Sequence, residues 1–263
     1  MTALNPADRS ERGHSLQAKL TGREHDRPET LLQESWRDFV YAEVWSRPGL
    51  DQRARFLISL ASAASSGGPR TTLVDYVRGA LATRELTLGE LREAALHLSV
   101  YCGWGVGGDL DEAITLVEAE LGLDSVSLDP IRGAPWDPRQ RMEAGFAAFN
   151  EVMTFDGPPV GNGVPFLEHG ILNFVFGEMW CRPGLDQRSR RFLTLVGVAN
   201  AAADVPIRSH FHAAMASGNC TAAELHEFVL QYAVHAGWPK ASVIQSVVFE
   251  MAAKIEKGLA WNG

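Results

Sequence analysis

Phe174-Val-Phe-Gly-Glu178-Met-Trp180-Cys-Arg-Pro-Gly-Leu-Asp-Gln-Arg188 reads like a second copy of Phe39-Val-Tyr-Ala-Glu43-Val-Trp45-Ser-Arg-Pro-Gly-Leu-Asp-Gln-Arg53, at a constant offset of 135 positions. A further pair follows. Glu90-Leu-Arg-Glu93 and Tyr101-Cys-Gly-Trp104 align with Glu224-Leu-His-Glu227 and His235-Ala-Gly-Trp238 at an offset of 134. A repeat of this length, carried on helical patterns, predicts an all-α protein of two similar units packed about a pseudo-twofold axis.

Working outward, the chain divides at its composition shifts. Residues 1–27 are polar and charged and predict a flexible N-terminal arm. The first unit is expected over 28–121. Its helices run over 29–46, from Gln52 to the break at Gly67-Gly68-Pro69, over Thr72 to Ala82, up to Cys102, and from Leu110 to Leu121. Arg47-Pro48-Gly49 ends one helix, Asp51 offers the next an N-cap, and Thr87-Leu-Gly-Glu90 has capping-box spacing. Residues 122–136, rich in Pro, Gly and Asp, read as a linker. The second unit is expected over 137–257, opening with a helix from Pro138 to Met153.

In the second unit three ionisable groups fall on apolar helical stripes. At a 3.6-residue period Leu167, Ile171, Phe174, Val175 and Glu178 share a face, so Glu178 is expected inside, its pKa raised unless a cation pairs with it. A buried structural ion pair with one of the arginines that follow is the competing reading. Ile207, His210, Phe211 and Ala214 form a second stripe. Leu225, Phe228, Val229, Tyr232 and His235 form a third. His212 lies roughly 200° round from His210 and points elsewhere.

A lone stripe histidine is usually a satisfied core residue. Two of them with a stripe carboxylate make a shared pocket the sharper expectation, with Glu178, His210 and His235 as the catalytic candidates. Arg188, Arg190, Trp180 and His212 are the candidates for substrate contact.

Composition narrows the classes. With 46% hydrophobic and 21% charged residues the chain is an ordinary globular one, and a formal charge of −8 argues against a nucleic-acid partner. No apolar run approaches the roughly 20 residues that span a bilayer. Met1 to Arg27 lacks the apolar core of a signal peptide, so a cytoplasmic protein is expected. Cys102, Cys181 and Cys220 stand far apart with no Cys-x-x-Cys, and no His-x-x-x-His occurs. Neither a metal nor another cofactor is expected.

The combination Glu-x-Trp-x-Arg-Pro-Gly-Leu-Asp-x-Arg-x-Arg, then His-x-x-x-Ala, then Thr-x-x-Glu-Leu-x-Glu and Gly-x-Pro, resembles the carboxymuconolactone decarboxylase family. It covers residues 137–255 well and 29–120 more loosely. The resemblance implies the alkylhydroperoxidase D-like all-helical fold, here as a tandem fusion. Single units of that kind assemble as hexamers, so a fused pair implies a homotrimer. The peroxidase branch needs Cys-x-x-Cys-x-x-x-His, whereas Pro206 and Ser209 stand before His210, so thiol peroxide reduction ranks low. The first unit carries Tyr76 where the second has His210, Arg78 where it has His212, and Tyr101 opposite His235. It reads as degenerate.

The leading functional expectation is a cofactor-independent lyase or isomerase, decarboxylase-like, acting on a small acidic or lactone-type metabolite. His210 would move the proton, Glu178 would orient it or act as a second acid/base, and an arginine would hold the anion. A non-catalytic binding or assembly protein that keeps the fold is the alternative.

Overall fold

The computed structural model describes residues 5–131, 133–161 and 163–263, and these are helical with no β-strand among them. The first half runs α1 (Pro6–Thr21), α2 (Leu31–Ser35), a π-wound helix (Trp36–Trp45), α3 (Gln52–Ser65), α4 (Arg70–Ala82), α5 (Leu88–Cys102) and α6 (Trp104–Leu121). The second half runs α7 (Pro138–Met153), a second π-wound helix (Phe166–Met179), α8 (Gln187–Ala201), α9 (Asp204–Ala216), α10 (Ala222–Ala236) and α11 (Trp238–Glu256). Apart from the short α2, the second half repeats the first element for element. The tandem all-α architecture is as expected.

The copied motifs act as helix punctuation. Asp51 and Asp186 cap α3 and α8, each accepting a backbone N–H three residues on at 2.8 Å. Thr87 with Glu90, and Thr221 with Glu224, close reciprocal capping boxes on α5 and α10. Gly103 and Gly237, at φ 90° and 85°, turn the chain sharply from α5 into α6 and from α10 into α11. Helix α6 begins at Trp104, six residues before the expected Leu110, because glycines 105, 107 and 108 hid it. Gly107 is required there: a Cβ would collide with Ser99 and the Ala95 carbonyl of α5.

The expected flexible arm over 1–27 is corrected over Pro6–Thr21, which is helix α1. Asn5 caps it, Pro6 opens it, and Leu20 is buried. It lies so close to the π-wound helix that Gly13 meets the Arg37 carbonyl, just as Gly145 of α7 meets the Leu172 carbonyl. The glycines license backbone contact, and Arg9 with Glu43 and Ser10 with Asp38 (2.8 Å) fasten it. A helix held by small residues and polar contacts carries little apolar signal.

The two π-wound helices also correct the expected stripe. Their wider turn closes through i→i+5 bonds such as Trp180 N to Val175 O, 3.0 Å. Leu172, Asn173, Phe176, Glu178, Met179 and Trp180 are therefore buried, while Leu167, Ile171, Phe174 and Val175 are only half-buried. A 3.6-residue period placed Glu178 inside with the wrong neighbours.

The halves are exchanged rather than merely apposed. Helix α5 of the first packs on α8 of the second, α10 of the second packs on α3 of the first, and α3 lies against α8. Two matching ion-pair cages stitch this crossing. Arg182 grips Glu93 through Nε at 3.0 and 2.9 Å, with Arg190 Nη2 at 3.4 Å. Arg47 and Arg55 hold Glu227 in the same way, at 2.8 and 2.9 Å. Gly49 and Gly184 of the Arg-Pro-Gly turns leave room for these glutamates, whose side chains lie where a Cβ would be. Burial pushes the Glu93 carboxyl up, but the two arginines more than offset it and its pKa is lowered.

Candidate functional site

The exchange builds two pseudo-equivalent centres, each with residues from both halves. In the centre around α9, Tyr101 from α5 stands edge-on to His210, ring centroids 5.7 Å apart. Trp180 donates Nε1 to the Tyr101 hydroxyl at 2.8 Å. His97, also from α5, meets Trp180 edge-on at 5.0 Å. Its Nδ1 faces the Arg190 guanidinium at 3.4 Å and accepts from it, so Nε2 carries the hydrogen and donates to Thr194 Oγ1 at 2.9 Å.

Arg191 completes this centre. It is fully buried, with its guanidinium carbon 5.1 Å from the Trp180 ring. Nη2 donates to the Val152 carbonyl at 2.6 Å and Nε to Asn219 Oδ1 at 3.3 Å, while Nη1 has no partner. No carboxylate lies within ion-pair distance of it among the described residues. Burial alone lowers its pKa to about 10. His210 Nδ1 is also buried and unpartnered, and burial, then the Arg191 charge, drive its pKa down to about 3. The centre is buried, carries in Arg191 a positive charge without a counter-ion among the described residues, and holds a neutral imidazole beside it.

In the other centre His235 from α10 meets Tyr76 of α4. Its Nε2 lies 3.1 Å from the Tyr76 hydroxyl, and the rings are perpendicular at 5.6 Å. Trp36 packs edge-on to the same imidazole at 5.6 Å. Gln231 donates to Ser59 at 2.9 Å where the first centre has His97 and Thr194. Phe56, against Trp45 at 4.9 Å, stands in the place of Arg191. Burial lowers the His235 pKa to about 4 and raises that of Tyr76 well above its usual value. A cleft of about 600 Å³ opens on this side, with His235 and Trp36 in its wall.

The expected trio is thus divided. His210 and Trp180 share one centre, while His235 belongs with Tyr76 in the other. Glu178 is ion-paired with Arg141 of α7 at 2.7 Å, the arrangement that the competing structural reading expects. Arg188 is held by Asp51 and Glu224 at 2.7 Å each, and Arg190 by Glu93 and the Arg182 carbonyl, so neither is free to hold an anion. His212 donates Nε2 to the Leu259 carbonyl at 2.9 Å and ties down the C-terminal segment.

Tyr101, Arg191 and His97 escaped the sequence reading. The first was visible as the counterpart of His235; the second was visible as an arginine aligned with Phe56. Among the described residues no cluster of three or more His, Cys, Asp or Glu side chains could hold a metal, and no helix is long and apolar enough to cross a membrane.

Comparison with known proteins gives these centres a lineage. Over 71 residues the chain is 38% identical to a nitrosuccinic acid decarboxylase of Metarhizium robertsii, a match covering 27% of this chain and 48% of that protein. Over 81 residues it is 30% identical to the 4-carboxymuconolactone decarboxylase of Acinetobacter baylyi, covering 31% and 60%. The matches thus span about half to three fifths of these relatives' length. The carboxymuconolactone decarboxylase family model matches twice, over residues 30–106 and 165–247, which is more than half the chain. The chain belongs to the carboxymuconolactone decarboxylase family and carries its unit in tandem.

Proposed function

We propose that the protein is a cofactor-independent, decarboxylase-like lyase for a small acidic or lactone-type metabolite, working at the centre of His210, Tyr101 and Arg191. The observation that carries this reading is the buried guanidinium of Arg191, which has no counter-ion of its own and lies beside an unpartnered imidazole nitrogen. An isolated buried charge is costly, and a substrate carboxylate or the enolate it becomes would neutralise it. The printed names of both relatives, each a decarboxylase of a small acid, support the same class.

The chemistry asked of the centre is modest. Loss of CO₂ from a vinylogous keto acid breaks one C–C bond and sends its electron pair into the conjugated carbonyl, giving an enolate. Arg191 holds the oxygen on which that charge collects, in surroundings where the interaction is poorly screened. Carbon then needs one proton. His210 is neutral in the empty centre, but an anion against Arg191 offsets the repulsion that helps depress it and favours the imidazolium, which can deliver that proton. Tyr101, kept protonated by burial, fixes the imidazole face.

The test is release of CO₂ from 4-carboxymuconolactone and from nitrosuccinate by the full chain. Turnover of either that falls about 10²-fold in His210→Ala, with the fold preserved, supports the reading. Binding of either acid without turnover would place the protein among binding proteins instead.

A further inference from the structure

We propose that the open cleft of the first half is a second small-molecule site, which takes a planar monocarboxylic acid laid on Trp36, its far edge against His235 and its carboxylate toward Arg27. This goes beyond the function proposed above, which concerns the other centre.

Space comes first. The cleft holds about 600 Å³, within the range of small-ligand pockets and enough for one ring and its substituents. Its inner wall is prepared. Trp36 offers a flat apolar surface, and His235 is held in place by Tyr76 through Nε2 at 3.1 Å. The other imidazole nitrogen makes no hydrogen bond among the described residues and remains for a ligand.

The rim sets the charge. Arg23 is held by Asp75 through two bonds of 2.8 and 2.9 Å and has its counter-ion already. Arg27 is exposed and makes no ion pair among the described residues. Asp26 and Glu29 stand on the same rim, so a second negative charge on the ligand would meet repulsion. One carboxylate suits this mouth and two do not.

Comparison within the molecule shows that the fold does not require the opening. By the register that pairs Gly13 with Gly145, Gln17 in the cleft answers to Phe149 in the second half; by that of Asp51 with Asp186, Ser66 answers to Ala201, and by that of Tyr76 with His210, Thr72 answers to Pro206. There Phe149 packs on Phe155 at 5.5 Å, and Phe155 on Trp261 at 5.8 Å. The same place is filled with rings in one half and left open, lined by polar side chains, in the other.

Benzoate, with the isosteric but uncharged benzamide as control, tests this by calorimetry on the full chain, together with shifts of the Trp36 indole and His235 imidazole signals. Benzoate is expected to bind one per chain and shift both signals, with benzamide weaker. Arg27→Gln should weaken benzoate about fivefold, as loss of one exposed charge contact does. Ser66→Trp, at an exposed position on the cleft, should abolish binding without changing Tm. His210→Ala should bind benzoate like the wild type. Absence of benzoate binding, wild-type affinity in Ser66→Trp or Arg27→Gln, equal affinity for benzamide, or loss of binding in His210→Ala would each overturn the proposal.

Discussion

Tyr101 belongs to the first half of the chain, yet its ring stands perpendicular to that of His210 in the second, 88° between planes. The mirror relation, Tyr76 of the first half against His235 of the second, is perpendicular too, at 90°. Neither centre is therefore complete within one repeat. A fused pair gains from this crossing, because the two halves can diverge while each still supplies the other's helix.

One point of that divergence is Arg191, where the first half has Phe56. Replacing Arg191 with methionine removes a buried cation that has no carboxylate partner among the described residues, so Tm should hold or rise, whereas loss of one partner from a true buried pair would lower it. The same change should cost about 10²-fold or more in kcat/KM if Arg191 carries the developing charge. A marked fall in Tm with unaltered turnover would show that Arg191 is structural.

Glu178 is expected to behave oppositely. Glu178→Gln breaks the pair with Arg141 at 2.7 Å and should cost about 3 kcal/mol of stability, read by chemical denaturation, with kcat within about threefold of wild type. Loss of turnover at unchanged stability would return Glu178 to the reaction.

Stability should depend on pH through imidazoles held neutral. His210 titrates near 3 and His235 near 4 in the folded protein, and burial, then nearby cations, hold His97 well below its usual value. In the unfolded chain all three titrate near 6.5. Between those values the unfolded state binds protons that the folded state refuses. Stability is therefore full above about pH 6.5 and is lost as pH falls toward 4 and 3. Tm measured from pH 7 to 4 should drop, and His210→Gln should flatten the slope. A Tm independent of pH over this range would contradict the buried neutral state.

Much of the fold was legible because its signals are local. The repeated Arg-Pro-Gly-Leu-Asp turn, the Asp51 cap and the Thr87–Glu90 box each act within a few residues, and each is found where expected. Helix α1 was not legible, since Gly13 and a set of polar contacts replace an apolar face. Nor was the true face of the Glu178 helix, because π winding changes the period on which the reading rested. The exchange of α5 and α10 is a tertiary fact with no local signal. It is why the ring contact of Tyr101, in the first half, with His210, in the second, is not readable from either repeat alone.

Assembly is open to a direct check. Trp238, Val243 and Phe249 on α11 are 54%, 59% and 62% exposed, apolar surface of the kind that subunit contacts cover. We expect a homotrimer, of about 86 kDa from three chains of 28.7 kDa, by light scattering on a sizing column. Monomeric mass at micromolar concentration would contradict it.

The central claim is that reaction occurs at His210 and not at His235, and parallel turnover measurements on two variants test it most directly. With whichever of 4-carboxymuconolactone or nitrosuccinate is turned over, His210→Ala should lower kcat about 10²-fold or more at preserved fold, and His235→Ala should leave it within about threefold. The reverse pattern, with His235→Ala inactive and His210→Ala active, would contradict the account and move the chemistry to the Tyr76 centre.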